Sequence, residues 1–228
     1  MKRTRIFGIL ALIGMTVTAL GQPVGVSPSN QFPRFTLADG QLDPDGFPIS
    51  GAKLCMLSKE AICYQMPSET LSGSEVKYEF GLEPHAERLP RSDDESWVFF
   101  TAMFSGGGSG TLTRFAVLRY SGKAKTDKIV NLLPWVGATN VSEWAMWTVK
   151  GASPYPVLVR ADFVWGKEET HFGSHFYNVE AWKFDPGSDR YEKALEYKTS
   201  RKYDGGDHSP IRVLAPERAR IVRRLIAK

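Results

Sequence analysis

From Trp97 to Thr199 the chain is a succession of short runs in which apolar side chains recur at every second position, each cut off by Gly, Pro, Asn or Asp. Successive side chains of an extended strand point to opposite faces, so a period of two marks a strand with one buried face. Runs of five to ten residues, separated at short intervals by such turn residues, argue for antiparallel β-structure. Val157 to Trp165 sets Val157, Val159, Ala161, Phe163 and Trp165 on one face, which is read as the core face, with Arg160 and Asp162 on the other. Tyr191 to Thr199 divides Tyr191, Leu195 and Tyr197 from Glu192, Glu196 and Lys198, and it pairs with His175 to Phe184 through the turn Asp185 to Asp189. Trp97 to Phe104 is apolar on both faces, as a central strand covered on both sides must be. Leu112 to Tyr120 follows across a Gly-rich turn, Ser105 to Gly110.

The expected fold is therefore all-β and mainly antiparallel, as a sandwich, barrel or partial propeller, with one short C-terminal α-helix. No repeat of fixed period argues for true propeller blades. After a short strand at Ile211 to Leu214, Pro216 and Glu217 are helix-start residues, and Ile221, Val222, Leu225 and Ile226 recur at helical spacing. This predicts a basic amphipathic helix over 216–227, packed on the sheet. Residues 22–50, dense in Pro, Gly, Asp and Ser, are read as a linker or strap ahead of a single β-rich domain over 51–228. Pro84 to Ser96, rich in Pro and charge, is read as a surface excursion.

The first residues carry a different signal. Lys2, Arg3 and Arg5 precede an apolar run from Ile6 to about Thr18, and Ala19 and Gly21 occupy the small-residue positions a signal peptidase reads. The run is shorter than the ~20 apolar residues a bilayer span requires, so 1–21 is expected to be a cleaved signal peptide and the mature protein secreted or periplasmic, with no transmembrane span. Three of the 29 basic residues leave with the leader, which brings the mature chain close to balance against its 25 acidic ones. A basic stretch remains from Arg212 onward, but the body offers no nucleic-acid footprint. In an oxidising compartment Cys55 and Cys63, flanked by strand-like residues, are expected to form a disulfide.

Chemistry is harder to find. Gly106 to Gly108 lacks the lysine and the Ser/Thr of a phosphate loop, and Asp204 to His208 holds too few alternating carboxylates for a calcium loop. No serine sits in a nucleophile elbow. The segment Glu168 to His175 combines imidazole and carboxylate, the ingredients of a divalent metal centre, and Glu169, His171 and His175 are its candidate ligands. On a straight strand the two histidines stand about 13 Å apart, so a bend at Gly173-Ser174 is required for one ion. The six tryptophans fall between positions 97 and 182. Trp97 is read as core, whereas Trp144 and Trp147 point to opposite faces of one strand, so one of the two is expected to look outward, and both are the candidate ligand-binding residues. The first reading is thus an exported, non-enzymatic β-scaffold without a cofactor that binds a carbohydrate or protein partner in the envelope or outside the cell. Its rival is a metal-dependent hydrolase built on Glu169, His171 and His175.

Overall fold

The computed structural model describes residues 32–70, 77–92, 95–105, 110–121, 128–167, 169–170, 173–204 and 212–227. Residues 1–21, expected to be a leader, most of the expected Gly-rich turn, His171 and residues 205–211 lie outside the described residues. Three antiparallel sheets and one helix stack as layers. The outer sheet has the order β1 (Phe35–Ala38), β2 (Lys53–Met56), β3 (Lys59–Gln65), and it is followed by a two-stranded ladder of β4 (Glu69–Thr70) and β5 (Lys77–Tyr78). The middle sheet runs β6 (Leu82–Ser92), β7 (Glu95–Ser105), β8 (Thr111–Ser121); the far side of β8 is shared by β9 (Lys128–Asn131) and β10 (Gly137–Thr139). The inner sheet has the order β11 (Glu143–Trp147), β12 (Val157–Val164), β13 (Phe176–Asp185), β14 (Arg190–Lys198), and helix α1 (Leu214–Ile226) covers it.

Strand alternation explains the stacking. On β7, Val98, Phe100 and Ala102 pack toward the outer sheet with Leu54, Met66 and Phe80, while Trp97 and Phe99 pack toward the inner sheet with Leu158, Trp182 and Phe184. On β12, Leu158 joins that second cluster, whereas Val157, Val159 and Ala161 turn to the helix and meet Ile221 and Leu225. A strand apolar on both faces must lie between two layers, and β7 does. Among the described residues the sheets stack face to face with free edges, as an all-β, mainly antiparallel fold with one C-terminal helix. Charge inside the stack is paired: Glu180, 3% exposed, accepts from Arg160 on the neighbouring strand and from Lys193. Among the described residues no helix is long and apolar enough to cross a membrane.

Several local expectations meet their outcome here. Cys55 and Cys63 face each other across β2 and β3 and are joined by a disulfide. The turn between β13 and β14 is held by the Asp185 carboxylate, which accepts from the backbone N–H of Gly187 at 3.2 Å and of Ser188 at 2.9 Å. From Phe32 onward the strap is bound into the stack: Phe32 is buried, β1 pairs with β2, and Arg88 Nη1 donates to the Phe32 carbonyl at 2.6 Å. The excursion expected at Pro84 to Ser96 is instead mostly the edge strand β6, where a proline's missing N–H is harmless on the open side. The strand expected at Ile211 to Leu214 is absent over its described residues: Val213 is a bend and Leu214 opens the helix. Trp165, expected in the core, lies past the end of β12 and is 56% exposed.

Candidate functional site

Where the inner sheet stops at β11, part of the middle sheet's face stays open and forms a cleft of about 470 Å³. Its floor comes from β6 and β7. His85 and Glu87 occupy alternate positions of β6 and share one face, opposite Thr101 and Phe99, and Glu83 lines the same cleft from the bulged start of the strand. Met103 extends the floor along β7, and Thr113 joins it from β8. Trp144, Ala145 and Met146 of β11 make the wall. The tryptophan is held by an aromatic chain, its ring 5.1 Å from Phe115, which lies 5.6 Å from Phe99.

Two features set this cleft apart from a packing defect. Glu83, His85 and Glu87 are exposed, and among the described residues no hydrogen bond or ion pair engages their side chains. Glu83 also has φ +47°, in the left-handed region, directly before Pro84, and the ladder shifts register between Leu82 and His85. A side chain disfavours that region, and a following proline pushes the residue toward extended backbone. Such bulges and outliers persist where the surrounding structure enforces them, and they concentrate beside binding sites. Chemically the cleft offers an aromatic and thioether surface with two carboxylates and an imidazole along its rim. It can cover an apolar group while holding a hydrogen-bonding or cationic one.

The histidine segment is built differently. His175 is fully buried, with Nδ1 2.9 Å from Glu169 Oε2 and its ring against Phe163 and Trp165. Glu169 also accepts from Lys202 Nζ at 2.6 Å and from the Gly166 N–H at 2.7 Å. These hydrogen bonds, that of Lys202 foremost, then those of His175 and Gly166, hold its carboxyl far below the ordinary 4.5, at about 2. Glu169 and His175 are thus brought together, and His171 lies outside the described residues. Among those residues no group of three His, Cys, Asp or Glu side chains is arranged to hold a metal ion.

The two candidate tryptophans part company. Trp144 borders the cleft, whereas Trp147 is 9% exposed, sits in the cluster under α1 and carries the Arg218 guanidinium 4.5 Å from its ring centroid. The rim residues Glu83, His85 and Glu87 escaped sequence reasoning because two prolines disguised their strand. The signal was there in their i, i+2, i+4 spacing. Comparison with family models, with curated proteins and with solved structures finds no match for this chain.

Proposed function

We propose that this chain is an exported, non-enzymatic binding protein whose β-scaffold presents the cleft between β6, β7 and β11 to a carbohydrate or protein partner. The observation that carries the reading is the juxtaposition of Trp144 with three exposed side chains, Glu83, His85 and Glu87, that have no partner among the described residues. Polar groups left without intramolecular partners beside a half-buried aromatic ring suit ligand contact better than stability. The leader and the Cys55–Cys63 disulfide support an extracytoplasmic setting. The test is a titration of the mature chain, followed by tryptophan emission, with soluble cell-wall oligosaccharides and with peptides. A partner that shifts the emission of the wild type should leave Trp144→Ala silent and bind it about tenfold or more weakly. A response unchanged in Trp144→Ala would move the site elsewhere.

The hydrolase reading has one observation in its favour. The Glu169 carboxylate 2.9 Å from Nδ1 of His175 orients the ring as partners of metal-bound histidines do. It requires a stoichiometric divalent ion that is lost in both His171→Ala and His175→Ala, measured by elemental analysis of protein purified without chelator.

A further inference from the structure

We propose that the cleft takes an extended, basic polypeptide segment, which adds itself as a strand to the free edge of β11; this rests on the binding reading above and narrows its ligand to one class. β11 pairs with β12 alone, so the backbone groups on its other side have no strand partner among the described residues. An edge strand of that kind is a template for pairing with another chain, and proteins ordinarily blunt such edges with Pro, Lys or inserted residues. The other free edges of the two sheets are blunted. β6, which borders the cleft, carries Pro84, Pro90 and register shifts, and β14, the far edge of the inner sheet, carries Glu192, Lys193, Glu196 and Lys198. β11, with the sequence Glu143-Trp144-Ala145-Met146-Trp147, has none of these devices, and Trp144, Ala145 and Met146 line the cleft.

The floor says what such a strand must carry. At about 3.4 Å per residue β11 matches a segment of roughly five residues, whose alternate side chains would point down into the cleft. There they meet Phe99, Met103 and Met146, and thioethers adapt to apolar side chains of varied shape. They also meet the carboxylates of Glu83 and Glu87, which draw lysine or arginine. A sugar needs donors as well as acceptors at closely set positions. The exposed polar side chains lining the cleft are two carboxylates, acceptors only when ionised, and one imidazole, while the Thr101 and Thr113 residues beneath them are buried.

The experiment uses the mature chain, residues 22–228, and a library of eight-residue peptides with lysine or arginine at alternate positions and varied apolar residues between. Enriched peptides should shift the tryptophan emission and bind Glu83→Gln/Glu87→Gln about tenfold more weakly at low salt, the difference shrinking as salt is raised. Both side chains are exposed and have no partner among the described residues, so the double variant should melt with the wild type, and circular dichroism checks this. N-methylation of the peptide backbone gives a second readout that leaves the protein untouched. Methyl groups on one alternating set of amides should abolish binding, and on the other set should leave it within about twofold, because a paired strand donates to its neighbour from every second residue. Equal tolerance of both sets, or binding that ignores the two glutamates, overturns the inference. If oligosaccharides shift the Trp144 emission and no basic peptide is enriched, the inference falls while the binding reading stands. If neither class produces a response, both fall.

Discussion

Glu217 shows how one carboxylate can tie a helix to a sheet. It is 7% exposed on α1 and accepts hydrogen bonds from the Tyr197 hydroxyl at 2.8 Å and the Tyr203 hydroxyl at 2.6 Å. Burial pushes its pKa up, but the two phenols and Arg220 outweigh that and leave it below the ordinary 4.5. Replacement by alanine strands two phenol hydroxyls, and Glu217→Ala should destabilise the protein by roughly 2 kcal/mol in urea melts, with Glu217→Gln in between. A carboxyl whose pKa is lowered by folding stabilises the native state above its unfolded value and loses that contribution as pH falls through the folded one. Glu217 and Glu169 both behave this way, so stability should decline between about pH 4.5 and pH 2. The tyrosines act with the opposite sign. Burial, then nearby Asp162, Glu143 and Asp204, pushes Tyr177 up to about 12, and burial and Glu217 raise Tyr197 and Tyr203. Their contribution is complete below pH 10 and is lost as pH climbs toward 12, so urea midpoints should fall at both extremes. A flat midpoint from pH 5 down to pH 2 would show that these carboxylates are not held as described.

Helix α1 begins without a cap of its own, since Val213 offers no side-chain acceptor. The Glu143 carboxylate of β11 does the work instead, accepting from the backbone N–H of Val213 at 2.5 Å and of Leu214 at 2.7 Å. This explains why the helix starts ahead of Pro216: its first donors are satisfied by a strand some seventy residues earlier, and a negative charge at that end suits the helix dipole. Glu143→Ala should lower stability by about 1 to 2 kcal/mol, with faster amide exchange confined to the first turn of α1. The hairpin of β2 and β3 presents the other local device. Its disulfide closes a loop of separation 8, worth about 2 to 3 kcal/mol on the chain-entropy estimate. Cys63 is exposed, so reduction should proceed in the native state and lower the melting temperature by several degrees, as calorimetry can measure. An unchanged melt after complete reduction would mean that the hairpin's ladder alone fixes those residues in the unfolded ensemble as well.

At the scale of the whole molecule, stability rests on interfaces between layers, and the one between α1 and the inner sheet is the simplest to probe. Ile221→Ala removes a fully buried side chain and should cost roughly 2 to 4 kcal/mol, while Ile226→Ala, 50% exposed on the same helix, should change stability by about 0.5 kcal/mol or less. Equal effects would place the helix away from the sheet. Neither the short strand expected ahead of α1 nor the core position expected for Trp165 is realised among the described residues. Many features set by one stretch of chain were nevertheless legible beforehand: the strands of period two around Val157 and Tyr191, the doubly apolar β7, the turn at Asp185, the paired cysteines and the amphipathic C-terminal helix. Each depends on neighbours a few residues apart, so the sequence alone determined an antiparallel β-protein with one terminal helix. It did not determine which sheet covers which, because a face that is apolar fits any apolar face. Nor did it reveal β6, since a proline-rich strand is allowed only at an edge, and an edge exists only once the sheet is assembled. The cleft belongs to the same class: Glu83, His85 and Glu87 meet Met103 and Trp144 because the inner sheet ends at β11 and leaves their face open. That boundary is a property of how three sheets stack, and only the tertiary structure decided it.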